Sequence, residues 1–470
     1  MNTKYDLIIV GAGPGGYIAA QKATKSGMHV LIIDRKEIGG TCVNRGCVST
    51  KALIHVAKIY RQMQSCERFG LSGKDIGFDL QKIYEYKNAS AQKVRNKIEE
   101  SFSKSGITFV QGEALVQAHK TVRVTRPDGT TEYYQGQSII IAAGAKARAL
   151  DVPGASLPGI ITSEELLTSN EKQYKSLVII GGGVIGLELA TVFNALGTDV
   201  TIIELSDRIL PEMEAEFSDR LEANLCERGI HIYKKSIVER FTGQNGLSCE
   251  FLHNGKEITV SADNILMCVG REANTEGLFD SDVIVKKDHG KILVDQFFMT
   301  SQSGIYAIGD VIEGVQLAHV ASAEATYVVE RINRQKPSVL LSIVPQSTFT
   351  SISIIPNCLY TDPEISSVGL TEDMAARLGI AVRCGRYEMD NNTQSIIAKA
   401  EYGLIKVLFS KESDVILGAQ IMCPRATDMI GELATAIANE MTAKQLTAAM
   451  RAQLTFNEGL SKAIENRMEE

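Results

Sequence analysis

No histidine follows position 319 in this chain of 470 residues; all seven lie at or before it. The last third of the sequence therefore has no imidazole to serve as a general base. Proline is scarce, with ten residues against forty glycines, a balance that fits an α/β chain with many tight strand-to-helix turns. The opening MNTKYDLIIVGAG has no charged stretch followed by an apolar one and runs directly into a strand, so no secretory signal is expected. No apolar run has the length of a membrane span; the longest candidate, Leu177–Ala190, is glycine-rich and carries Glu188. Positive charge is not in excess either, and a net charge of −7 argues against a nucleic-acid partner. These absences lead to the expectation of a cytoplasmic protein, bound to neither membrane nor nucleic acid. The length predicts roughly two to four domains.

Of nine cysteines, two stand close together in Gly39–Lys51, GGTCVNRGCVSTK. Cys42 and Cys47 are five positions apart, about 7.5 Å of rise in an ideal helix. A disulfide needs its Cα atoms within roughly 4.4–6.8 Å. The pair can bond only if the first helical turn is distorted, and Gly46 supplies the freedom to distort it. Such a short loop makes a poor staple, worth about 2 kcal/mol. The spacing alone leaves open a redox pair and two unrelated thiols. A metal site is disfavoured because no second Cys or His pair stands nearby, and no metal is expected. In a cytoplasmic protein, catalytic disulfides are the usual exception to the rarity of structural ones. The other seven cysteines are scattered and read as small core residues.

The neighbourhood favours the redox reading. Tyr5–Val10 reads as a buried parallel strand. It ends in GAGPGG, with Gly11, Gly13 and Gly16 in GxGxxG register, followed by an alanine-rich helix, a strand over Val30–Ile33 and Asp34. Gly11 makes the tight turn, Gly13 admits a pyrophosphate to the backbone, and Gly16 lets helix and strand pack closely. The helix N-terminus offers its N–H groups to phosphate, and Asp34 can accept from ribose hydroxyls. The pattern recurs: Leu177–Ile180, then GGGVIG with Gly181, Gly183 and Gly186, a helix to Leu196, and Val200–Ile203 leading to Glu204. The acid falls 23 residues after the first glycine in both copies. Two matches at equal spacing predict a pair of dinucleotide sites. Glu204 favours a free 2′-hydroxyl, hence NAD over NADP, although Arg208 lies nearby.

Between these units the sequence predicts helices from Ala52 to Ser105 with a loop near Gly70–Gly77. A hairpin is expected over Val122–Tyr134, turning at Pro127-Asp128-Gly129, with a separate strand over Ser138–Ala142 broken at Gly144. Strands are expected over Asn264–Val269, ending at Gly270, and Ile305–Ile308, ending in Gly309-Asp310. Asp310, just past a strand's carboxyl end, is placed to hold a cofactor hydroxyl. A helix is expected over Leu317–Asn333. After Pro345 come extended segments at Leu359–Gly369 and Gly403–Phe409 and helices from Ala426 to Met468, an α+β unit without a glycine fingerprint.

The motifs GGTCVNRGC, GGGVIGLELA, GREANT, GIYAIGDV, LAHVASAEA and YTDPEISSVGLTE, in this order, resemble those of the pyridine-nucleotide–disulfide oxidoreductases over essentially the whole chain. The branch that oxidises dihydrolipoamide is resembled most. The resemblance implies an α/β fold of two Rossmann-like dinucleotide-binding domains plus an α+β C-terminal dimerisation domain. The expected division is 1–150 with 276–343 for FAD, 151–275 for NAD, and 344–470 for the interface of a homodimer. It further implies that NADH passes hydride to the flavin and that the flavin reduces a Cys42–Cys47 disulfide. Cys47 matches the thiol next to the flavin and Cys42 the one that exchanges with substrate. Lys51 matches the lysine near flavin N5, and Glu188 its carboxylate partner; read without the resemblance, they are a surface lysine and a helix-face glutamate. Asp34, Thr41, Ala114, Gly144, Ala318 and His319 match flavin-contact positions, and Gly270 a nucleotide-contact position. The implied partners are a small dithiol, disulfide or other small electron acceptor, and a 2-oxoacid dehydrogenase complex.

The departures bear on the chemistry. The family's C-terminal motif resembles HxHPTxxE, whose second histidine, held by the glutamate, is the base for thiol exchange. This chain reads RAQLTFNE: Glu458 is kept, but the base position is Gln453 and the proline position is Leu454. Glutamine does not titrate, and loss of a positioned base typically costs roughly 10²–10⁴ in rate. Ser49 and Ala273 also stand where proline is usual, and Ser342–Pro356 is longer than the family expects. Three functions follow as expectations: a dithiol oxidoreductase slowed at Gln453, an NADH-dependent reductase of a non-dithiol acceptor (quinone, metal ion, oxygen or small disulfide), or a low-turnover flavoprotein. The first is favoured by whole-chain similarity, and the intact cysteine pair argues against the third.

Overall fold

The computed structural model describes residues 3–169, 172–243, 246–348 and 350–467. Continuous apolar runs form its central strands. β1 (Thr3–Val10) has Leu7, Ile8 and Ile9 wholly buried, as a parallel strand covered on both faces must. It pairs in parallel with β2 (Val30–Asp34), which pairs with β3 (Thr108–Gln111). On its other side lies the long β6 (Thr131–Ile141), continued antiparallel by β5 (Thr121–Thr125) and β4 (Glu113–Gln117). The strand Ile305–Ala307 joins the far end of β6 in parallel, so the chain returns to its first sheet after an excursion. The hairpin strand and Ser138–Ala142, expected as two elements, are one strand. On one edge residues 131–135 pair with β5 and 139–141 with the strand Ile305–Ala307, while β1 runs along 134–141 on the other edge, so β6 exchanges one neighbour for another without breaking.

The second glycine fingerprint sits in a five-stranded parallel sheet ordered His231–Tyr233, Asp199–Ile203, Ser176–Ile180, Asn264–Met267, Ile160–Thr162. A three-stranded antiparallel sheet over Ser236–Thr242, Leu247–His253 and Lys256–Ala262 packs beside it and was not foreseen from the sequence. The C-terminal unit is a five-stranded antiparallel sheet, with Leu404–Ser410 and Ile416–Cys423 buried along their whole length. Helices Ala426–Ala438, Ala443–Thr447 and Glu458–Asn466 cover it. Met468, the expected helical limit, lies outside the described residues. The 342–356 stretch holds two short paired strands, Ser342–Ile343 and Ile352–Ser353, with position 349 outside the described residues. The architecture is the expected mixed α/β class.

One helix ties the three units together. α3 (Cys47–Gln64) begins at the second cysteine of the pair. Its Leu53, Ile54 and Ala57 share a buried cluster with Leu187 and Phe193 of the second unit and Leu359 and Ile365 of the third. Its polar face pairs Lys51 with Glu188, Lys58 with Glu364 at 2.8 Å and Arg61 with Asp362 at 3.8 Å.

Candidate active site

The two glycine turns are built alike. Gly11 has φ +109° and Gly181 has φ +107°, where a side chain is strained; a Cβ would lie 2.1 Å from the Ala142 carbonyl oxygen and 2.4 Å from that of Cys268. A Cβ on Gly16 or Gly186 would lie 1.8 Å from the Gly11 oxygen or 2.2 Å from the Gly181 oxygen, so helix and turn pack at backbone distance. At Gly13 and Gly183, which cap the following helices, a Cβ meets nothing within 4 Å. The acids repeat too. Asp34 accepts from the N–H groups of Ala12 (2.7 Å) and Lys36 (2.8 Å), and Glu204 from those of Gly182 (2.5 Å) and Ser206 (2.7 Å). Each carboxylate is thus held by its own glycine turn, with lone pairs left over for a ligand.

A cavity of about 1110 Å³ joins these turns. Gly11, Gly13, Asp34, Thr41, Ala114, Gly144, Gly183, Gly270, Asp310, Ala318 and His319 line it. Cys42, Cys47, Lys51 and Glu188 line it as well. Gly16, Gly181 and Gly186 serve in the turns behind it, and Glu204 stands off it beside Gly182.

The cysteines occupy a broken helix. α2 (Gly40–Arg45) ends and α3 begins at Gly46, the distortion that the five-residue spacing requires. A Cβ on Gly46 would be 2.8 Å from the Thr41 oxygen and 3.3 Å from the Cys42 Cα, so the two helices meet through a residue that must lack one. Ser49, where the family has proline, is buried and donates its hydroxyl to the Asn44 carbonyl at 3.2 Å, bridging the break. Both cysteines are free thiols. The hydrogen bond from Cys42 holds Cys47 down to about 7 against the effect of burial, and the Lys51 ammonium adds to the lowering. The same bond, with burial, raises Cys42 far above its ordinary range. The lower of the two thiol values thus falls at Cys47 and the higher at Cys42.

Lys51 donates to both oxygens of Glu188, at 3.0 and 2.8 Å. Glu188, 2 % exposed, also accepts from the Tyr360 N–H at 3.1 Å, and the Lys51 Nζ lies 4.6 Å from the centre of the Tyr360 ring. Tyr360 had no signal in the sequence beyond its place in YTDPE. His319 bonds the Pro356 carbonyl through Nε2 at 3.0 Å. Asp310 lies 3.8 Å from the Arg271 Nε, and burial raises its carboxyl.

Gln453 and Glu458 stand apart from this cavity. Gln453 is exposed; Leu454 has φ +58° and is also exposed. Glu458 accepts from the Thr455 N–H at 3.2 Å. Arg451, at the motif's first histidine position, pairs with Glu432 and donates to the Ser461 hydroxyl at 2.9 Å. The reading of seven core cysteines needs correction. Cys249, Cys384 and Cys423 are buried, but Cys226 is exposed, Cys66 half-buried, and Cys268 and Cys358 line the cavity. Their spacing carried no trace of a helix end or a cavity wall. Among the described residues no group of three or more His, Cys, Asp or Glu could hold a metal, and no helix is long and apolar enough to cross a membrane.

Paired glycine turns, a cysteine pair and a Lys–Glu pair on one cavity define a flavin- and nucleotide-dependent disulfide oxidoreductase. Residues 5–325 match the family of pyridine nucleotide-disulphide oxidoreductases and residues 355–464 match its dimerisation domain. The chain belongs to that family: it is an FAD-dependent NAD(H) disulfide oxidoreductase. It is similar to the dihydrolipoyl dehydrogenase of Bacillus subtilis, 32 % identical over 98 % of both chains. It is 34 % identical to that of Chlorobaculum parvum, over 98 % of this chain and 97 % of the relative. Among solved structures, LpdA from Mycobacterium tuberculosis superposes with a TM-score of 0.88 at 23 % identity, covering 98 % of this chain and 99 % of that one. The HOCl-induced flavoprotein disulfide reductase RclA from Escherichia coli superposes at 0.85 with the same identity and coverage. The residues present fit both cofactors: open space lies over the helix caps at Gly13 and Gly183, each turn holds its own carboxylate, and the cavity continues from the first turn to Cys47.

Proposed function

We propose that the chain moves electrons between NAD(H) and a small dithiol or disulfide of the dihydrolipoamide type through the Cys42–Cys47 pair. The observation that carries this reading is the placement of both cysteines, with the Lys51–Glu188 pair, on the cavity that joins the two nucleotide turns. FAD, when bound, supplies a carrier that takes a hydride from the nicotinamide and gives two electrons to a disulfide. Gly11, Gly13 and Gly16 with Asp34 would hold its pyrophosphate and ribose. Thr41, Ala114, Gly144, Asp310, Ala318 and His319 would hold the remainder. Gly181, Gly183, Gly186, Glu204 and Gly270 would hold NAD(H). Cys47 retains the thiolate and Cys42, carrying the proton, meets the substrate. Lys51 places a positive charge, fixed by Glu188, near the thiolate.

The division 1–150 with 276–343, 151–275 and 344–470 accompanies this reading, in a cytoplasmic homodimer whose C-terminal unit brings Gln453 and Glu458 to the partner's cysteines. Position 453 supports a second reading. A glutamine there removes no thiol proton, which favours an acceptor other than a dithiol. A steady-state panel decides: dihydrolipoamide oxidation with NAD, set beside NADH oxidation with disulfide, quinone and metal-ion acceptors. Turnover with a quinone or metal ion far above that with either lipoyl form would overturn the first reading in favour of the second.

A further inference from the structure

Glu324 has no place in the chemistry above, yet it is a carboxylate only 6 % exposed beside the cavity. It lies on the helix Ala318–Ile332, and its Oε2 accepts the Gly309 N–H at 2.6 Å. Gly309 and Asp310 form the turn that follows the strand Ile305–Ala307, and both line the cavity. Three residues before Glu324, Ala321 packs against the same turn: a Cβ on Gly309 would lie 3.1 Å from the Ala321 Cβ, and one on Gly15 3.4 Å from it. The helix thus touches both the first glycine turn and the Gly309-Asp310 turn. Burying a second acid near Asp310 is costly. Burial pushes Glu324 up to about 7 in spite of the Gly309 N–H, and Asp310 adds to the rise. Arg271 and Lys291 face Asp310 and oppose its own rise. A costly acid kept at this point is accounted for by the bond it makes.

We propose that Glu324 is a positioning residue for the flavin: by holding the Gly309 N–H it fixes the turn from which Asp310 reaches a hydroxyl of the cofactor. The inference rests on the reading of Asp310 as that hydroxyl-binding acid. Removing the carboxylate leaves a buried N–H unpaired and frees the turn to rotate.

The test is titration of the apoprotein with FAD, followed by flavin fluorescence, for Glu324→Ala, Glu324→Gln and Asp310→Asn. Glu324→Ala should weaken FAD binding by about tenfold or more, whereas Glu324→Gln, which keeps an acceptor oxygen, should stay within about threefold of the parent. Parental affinity in Glu324→Ala overturns the proposal, as does an equal loss in the Gln variant. Unchanged affinity in Asp310→Asn shows instead that the reading of Asp310 is wrong. Should Glu324→Ala not fold, the pH profile of FAD affinity decides. The parent should change between pH 6 and 8 as Glu324 ionises, with a flatter profile in Glu324→Gln; a profile unaltered by that substitution overturns the proposal.

Discussion

Lys51 and Glu188, 137 positions apart in the chain, meet in a two-point ion pair on the cavity that the cysteine pair also lines. Glu188 is almost wholly buried, while the Lys51 side chain remains one-third exposed. Lys51→Met would leave the carboxylate with the Tyr360 N–H alone. Allowing for the exposure of the lysine, the loss should be on the order of 2 kcal/mol. Urea unfolding of the two holoproteins measures it. An unchanged midpoint and slope would show that the pair contributes nothing to stability.

Glu204 should select NADH over NADPH. Its carboxylate is fixed by Gly182 and Ser206, and a 2′-phosphate would meet its charge. The kcat/KM ratio should be on the order of 10² or more, and Glu204→Ala should narrow it. Comparable values for the two coenzymes in the unmodified protein would remove the assignment.

One equivalent of NADH added to the oxidised holoprotein should release two titratable thiols, Cys42 and Cys47. The reduced form should then show a thiolate whose ultraviolet absorbance titrates near pH 7 and is absent in Cys47→Ser. Flavin bleaching with no new thiols would put the pair outside the electron path.

Dihydrolipoamide oxidation should be slow at neutral pH and rise as the substrate thiols ionise unaided, with an intrinsic pKa of about 8.5 or higher. Reduction of the flavin and disulfide by NADH needs no group at position 453 and should remain fast. Restoring the histidine should raise dithiol oxidation by on the order of 10² if Glu458 can orient it. The single variant Gln453→His is the informative one. Leu454 has φ +58°, and a proline, locked near −65°, cannot occupy that backbone without rebuilding the turn. Rapid oxidation of dihydrolipoamide at pH 7 by the unmodified protein would refute this account of Gln453.

Glu324 gives the stability of the apoprotein a definite slope with pH. Its carboxyl rises on folding from an ordinary value of 4.5 to about 7, so the folded chain keeps a proton that the unfolded chain has lost. Stability should therefore fall as pH rises through that window, by on the order of 3 kcal/mol between pH 4 and 8 from this group. Glu324→Gln does not titrate. Its stability relative to the parent should improve toward pH 8 by a similar amount, and equal pH slopes in urea unfolding would contradict the assignment.

Most of the fold was legible because its strands are continuous apolar runs ended by glycines that only one geometry accommodates. Gly11 and Gly181 with their acids mark the parallel pairs β1–β2 and Ser176–Ile180 with Asp199–Ile203 through local chain alone. The three antiparallel strands over 236–262 alternate buried and exposed residues without a comparable mark. The exchange of neighbours along β6 depends on strands that reach it from distant segments. The site divides in the same way. Cys42, Cys47 and Lys51 lie within ten positions and announce one another. Tyr360 and Cys358 come to the cavity wall, and Glu324 to the turn beside it, from remote elements, and no local pattern distinguishes a residue of a cavity wall from one of the core.

The break at Gly46 divides the cysteine pair between two unequal supports. Cys47 heads an 18-residue helix whose ion pairs reach Glu188, Asp362 and Glu364, so it is braced against all three units at once. Cys42 rides on a six-residue helix with glycines at both ends. In the proposed reading, electrons from the flavin enter at the sulfur that begins the longer and more widely braced helix, and substrate exchange falls to the sulfur on the shorter one.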